Sequence, residues 1–233
     1  MSVMGIYFLL VASVAVWWLW REGVTESPWL EEGEAPAWRG VSGRPKAAKA
    51  GLTIFLAVAL CLFSLMSAAF LMRMAATDWR SPPLPTILWF NTAALVISDL
   101  ALALASLHAH NRSNLRVKRA LVVAGVASLA FLSGQLWAWR EMIIGGFYAA
   151  QNPANAFFFL LTGAHAAHLI GGLVVLARVT AQAWRQEDGE ALAARIDLCA
   201  IYWRFLLVIW LLLFALLVGW ADNLGAICRR LLS

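Results

Sequence analysis

Apolar residues fill long unbroken runs of this chain, and polar residues gather in the gaps between them. Six runs of about 18 to 25 residues, each enough to cross ~30 Å of hydrocarbon, fall near 3–20, 51–74, 86–107, 117–137, 154–177 and 196–220. They predict six helices, because in lipid a helix satisfies its backbone groups within one segment. The gaps contain the breakers and the charges: SPPLP (81–85), HAHNRSNLRVKR (108–119) and RQEDGEALAAR (185–195). The longest gap, 21–50, mixes acids, bases and prolines and is expected to run irregularly over the surface. The first run lacks a basic start and ends on Trp17, Trp18 and Trp20 rather than a small-residue cleavage site. It therefore reads as a retained span, not a signal peptide. Nothing repeats at a fixed period, and no stretch suggests a soluble domain. The expected fold is an all-α integral membrane protein, residues 1–233 forming one membrane domain.

Composition supports this pattern. The chain is 62% hydrophobic and only 13% charged, too little charge to solvate a globule of its size. A net charge of +5 thus says little about nucleic acid, and no nucleic-acid partner is expected. The distribution of cations says more. The loops after the first, third and fifth runs hold twelve Lys and Arg, and the opposite side holds five, with Arg204 left out because it lies inside a run. By the positive-inside rule, the richer loops are cytoplasmic and both termini are on the outer face. Cys61, Cys199 and Cys228 are far apart and form no C-x-x-C pair, which argues against a thiolate metal centre.

Ionisable groups at membrane depth are costly and need a reason. There are four: Asp99 in the third run, His165 and His168 in the fifth, and Arg204 in the sixth. At 1.5 Å per residue all four fall in one layer of the membrane. The histidines, three apart, share a helix face. One helix face cannot sandwich a haem. A metal would need Asp99 as a further ligand, and a proton relay is a third possibility. The reading we adopt is a buried polar cluster with no metal, in which Arg204 needs an anion that Asp99 alone can supply. Gly163, Ala167 and Gly171, spaced by four, form a smooth stripe suited to close helix contact.

These runs resemble a known family. NPANAFFFLLTGAHAAHLIGG (152–172) resembles the hallmark of subunit III of the haem-copper cytochrome c oxidases, an Asn-Pro before F-F-x-L-T-G-x-H-x-x-H. IYWRFLLVIWLLLF (201–214) resembles the final-helix pattern Y-W-H-F-x-D-x-x-W-x-x-L-F. FLSGQLWAW (131–139), LPTILWFNT (84–92), WREG (20–23) and KAGLTIFL (49–56) are weaker matches. Thr162, Gly163, Tyr202 and Trp203 carry the hallmark beside the histidines. The resemblance implies a six-helix variant lacking the family's first helix, with helices 1–2 separated from helices 3–6 by a lipid cleft. Four departures stand out: Ala59 replaces a buried glutamate, Arg204 a histidine, Leu207 an aspartate, and Asp99 a residue that is usually small.

From the resemblance we expect a non-catalytic subunit of a bacterial aa3-type cytochrome c oxidase. It would have no redox centre of its own, as the haem and copper would be held by subunits I and II. It would stabilise the catalytic subunit, bind phospholipids and support proton uptake during oxygen reduction in the inner membrane. Lys49 matches a position where the family meets a lipid headgroup, and a cation at a helix start suits a phosphate. The alternative is the related accessory protein of nitric oxide reductase, which shares the fold and the hallmark.

Overall fold

An apolar segment in lipid has no water to meet its backbone polar groups, so each run that can be followed closes into a helix. The computed structural model describes residues 44–74, 76, 79–80, 83–110, 114–185 and 189–218, together with Ser13. Within these are α1 (Arg44–Met74), α2 (Ile87–His110), α3 (Asn114–Ile144), α4 (Pro153–Arg185) and α5 (Gly189–Leu217). All five are long and apolar enough to span a membrane. The expected span at 3–20 lies outside the described residues, apart from Ser13. So does most of a second unit, Met1–Ala48 with Gly219–Ser233.

The helices are longer than the apolar runs that predict them, because the runs measure hydrocarbon thickness and not helix length. The expected loop at 185–195 is a correction of this kind. α4 continues to Arg185, and α5 starts at Gly189 with Glu190 in its first turn. The ALAA segment that follows favours helix, and the glutamate suits the positive end of the dipole. Local chemistry sets the other ends. Gly146, at φ 82°, closes α3: Phe147 N–H donates to the Met142 carbonyl at 2.9 Å and Gly146 N–H to that of Ile143 at 3.1 Å. That is the Schellman pattern, in which glycine takes the left-handed position. Asn152 then caps α4, its side-chain oxygen accepting from Ala154 N–H at 3.1 Å, with Pro153 at the first helical position. The Asn152 amide also donates to the Arg80 carbonyl.

Helices α2, α3, α4 and α5 form a ring, with close backbone approach between α2 and α3, α3 and α4, α4 and α5, and α5 and α2. Among the described residues, α1 makes no such approach. Aromatic side chains bridge it instead. Phe63 lies 5.2 Å from the His168 ring, Phe55 6.2 Å from Tyr202, and Phe70 5.7 Å from Phe157.

Candidate functional site

The polar side chains at membrane depth tie the ring of helices together. A buried indole or hydroxyl needs a partner, and lipid supplies none. Thr162 donates to the Phe158 carbonyl at 2.7 Å and accepts from Trp139 Nε1 at 3.0 Å, joining α3 to α4. Tyr202 donates to the His168 carbonyl at 2.8 Å, joining α5 to α4. Trp203 Nε1 donates to Ser128 Oγ at 3.1 Å, and Ser98 Oγ lies 2.8 Å from the same hydroxyl, so three helices meet there. Trp210 Nε1 donates to Thr92 Oγ1 at 2.9 Å and Ser106 to Asp197 at 2.6 Å, joining α5 to α2. Three of the hallmark residues, Thr162, Tyr202 and Trp203, are therefore cross-ties.

Glycine makes two of these ties possible. A Cβ at Gly172 would lie 2.6 Å from Tyr202 Cε1 and 3.0 Å from the Trp203 ring. Only a bare backbone lets the tyrosine reach the His168 carbonyl. At Gly134 a Cβ would lie 2.0 Å from Asn91 Oδ1, whose amide donates to Gln135 at 3.3 Å. The expected close-contact stripe falls elsewhere. Gly171 and Ala167 are exposed and line a groove, and a Cβ at Gly163 would meet only Trp139 at 3.9 Å. The neighbouring Gly172 makes the close contact, and the doubled glycine of LIGG was its signal. Gly172→Ala is expected to cost about 2 kcal/mol by overpacking, read as a lower thermal midpoint of the purified chain in mild detergent.

The four ionisable groups divide between two places. Asp99 Oδ1 lies 3.8 Å from Arg204 Nε, an ion pair across α2 and α5. No hydrogen bond or ion pair joins either histidine to this pair. His165 is fully buried, with ring centroids of Trp210, Phe131 and Phe63 at 5.1, 5.6 and 6.3 Å, and neither of its nitrogens has a hydrogen-bond partner among the described residues. His168 Nδ1 bonds back to the Ala164 carbonyl at 2.8 Å. Depth puts the four in one layer, but the direction in which each side chain leaves its helix parts them. Among the described residues no three His, Cys, Asp or Glu side chains converge.

A groove of about 670 Å³ opens between α1, α4 and α5. Its walls are mostly apolar, with Leu52 and Phe55 from α1 facing Ala167 and Gly171 of α4. Arg178, Gln182 and Arg195 line it toward the connection between α4 and α5, the end at which α1 also begins, near Lys49. The Gln182 side-chain oxygen is buried without a hydrogen-bond partner among the described residues. None of these three stood out in the sequence. They sit in helical extensions beyond the apolar runs, and the groove exists only once α1 is placed.

Together the helices and ties define a multi-pass α-helical membrane protein whose interior polar groups serve to hold it together. The family model for cytochrome c oxidase subunit III matches residues 3–222, and the chain belongs to that family. It is 24% identical over 179 residues to a protein of Mycobacterium tuberculosis named "Probable cytochrome c oxidase subunit 3", covering 75% of this chain and 88% of that one. With the cytochrome c oxidase subunit 3 of Synechocystis the identity is 24% over 186 residues, 76% and 77% of the two chains. With the cytochrome bo(3) ubiquinol oxidase subunit 3 of Pseudomonas aeruginosa it is 28% over 131 residues, 56% and 62%.

Proposed function

We propose that the chain is the non-catalytic subunit III of an aa3-type haem-copper oxidase in a bacterial inner membrane, with both termini periplasmic. In this reading it packs against the catalytic subunit I, beside the copper-bearing subunit II, and those partners hold the haem and copper. It stabilises the catalytic subunit and supports its proton uptake by holding its surroundings in place. The observation that carries the reading is the use of the hallmark itself. Thr162, Tyr202 and Trp203 spend their polar atoms on ties between helices, which suits a supporting subunit. The relatives named cytochrome c oxidase subunit 3 also match a larger share of the chain than the ubiquinol oxidase subunit does.

Affinity purification of the tagged chain from its own membranes in mild detergent tests this. Haem a and copper should come with it. Haem b together with nitric oxide reduction would favour the nitric oxide reductase accessory protein, and a stable preparation without pigment would defeat both.

Lipid binding belongs to the same proposal. The groove has an apolar floor for acyl chains, with cations at one end where a phosphate would sit. Lys49, at the start of α1, is a second headgroup candidate. Replacing Arg178 and Arg195 together with glutamine is expected to lower the anionic phospholipid retained through purification roughly thirtyfold, at about 1 kcal/mol per cation. Mass spectrometry of the extracted lipid would show it.

A further inference from the structure

Arg204 lies where an arginine needs more than the structure gives it. It is fifteen residues from one end of α5 and thirteen from the other, so roughly 22 Å and 20 Å from those ends at 1.5 Å per residue. Its partner Asp99 is twelve residues from one end of α2 and eleven from the other. The pair therefore sits near the middle of the membrane. Asp99 is nearly covered, with a side-chain exposure of 10%, but the Arg204 side chain is 49% exposed. The contact runs through Nε at 3.8 Å, an ion pair too long to be a hydrogen bond. Among the described residues no hydrogen bond reaches the Arg204 guanidinium.

We propose that the face shared by α2 and α5 around Arg204 is a docking surface for another membrane-spanning chain, one that meets the guanidinium with hydrogen-bond-acceptor oxygens at mid-membrane depth. The surroundings suit such a contact. Leu100 adjoins Asp99 and Leu107 lies two turns beyond it on α2, while Leu211 lies two turns beyond Arg204 on α5, and all three are exposed. An apolar surface with one half-exposed cation at its centre, paired on one side only by Asp99, has the composition of an interface core in which arginine is enriched.

Two other occupants fit less well. A lipid phosphate lies at the membrane surface, and snorkelling serves cations near helix ends, whereas this one is tied inward to Asp99. A second copy turned about an axis along the membrane normal would bring Arg204 to Arg204 at equal depth. Its nearly covered Asp99 could offer little in return. The face thus complements a different chain, with oxygens where this one has N–H groups. The inference rests on the functional reading in one respect, that the partner is a neighbouring oxidase subunit.

Photo-crosslinking in intact membranes tests it, using the full chain with a benzophenone amino acid at Leu100 or Leu211. Val126, exposed on α3, is the control. Leu100 and Leu211 should capture a second membrane polypeptide and Val126 should not. Asp99→Leu with Arg204→Leu, which leaves no unpaired charge, should lower the capture at least about tenfold. Capture of lipid alone, of a second copy, or of this chain's own residues 1–48 would overturn the inference, and so would equal capture from Val126. The functional reading fails separately, if the tagged chain brings down no haem-bearing subunit. In that case a polypeptide captured from Leu100 and Leu211 would support the docking face only if the mapped crosslink lies beside an acidic or amide side chain within its membrane span.

Discussion

Replacing Trp203 with alanine is expected to cost the bundle about 3 kcal/mol, within the usual range for emptying a buried aromatic site. Trp203 is fully buried on α5. Its ring packs over Gly172 of α4, and its indole N–H reaches Ser128, which Ser98 also contacts. Alanine would leave a cavity where four helices meet and strip the Ser128 hydroxyl of a donor. Trp203→Phe keeps most of the ring and loses the hydrogen bond, so it should cost only about 1 kcal/mol. Thermal unfolding in mild detergent would read both. Equal losses from the two variants would mean that the ring volume is not what matters. In lipid, helices gain little from hiding apolar surface, so packing and hydrogen bonds carry the association.

The second large effect concerns Asp99 and Arg204. Arg204→Leu should cost about 3 kcal/mol, because it leaves a carboxyl inside the membrane with no cation beside it. Asp99→Leu should cost a similar amount, since it leaves the guanidinium alone. The double variant removes both charges and should recover most of the loss, which is the mark of a pair whose two halves were each costly alone. Additive losses in the double variant would show that the two residues act independently. The double variant also parts stability from docking: the bundle should hold while the partner is lost.

How much of this could be read in the sequence varies from residue to residue, for physical reasons. Five of the six expected spans were legible because hydrocarbon thickness dictates their length, yet their ends were not, since Arg185, Gly189 and Gly146 obey capping and propensity rules that hydropathy does not see. Depth was legible for Asp99 and Arg204, because a helix rises by a fixed step per residue. Depth carries no information about azimuth, so His165 was grouped with a charge pair when in fact it turns toward Phe63, Phe131 and Trp210. The stripe of small residues suggested a close contact one position away from the real one, at Gly172. A cleft was expected from the resemblance, but its arginines were not legible, because they lie in helical extensions beyond the apolar runs.

The central claim is that the hallmark of this chain is structural and that its intramembrane histidines take no part in the reaction. His165 tests it most directly, since it is the hallmark residue with both ring nitrogens buried and unpartnered. The measurement is oxygen consumption per haem by the purified complex carrying His165→Leu, compared with the unaltered complex at equal content of this subunit. Leucine fits an aromatic cage and leaves no polar atom unmet, so the rate per haem should be unchanged. A fall of about tenfold or more, which corresponds to about 1.4 kcal/mol in the barrier, with the subunit fully retained, would contradict the account.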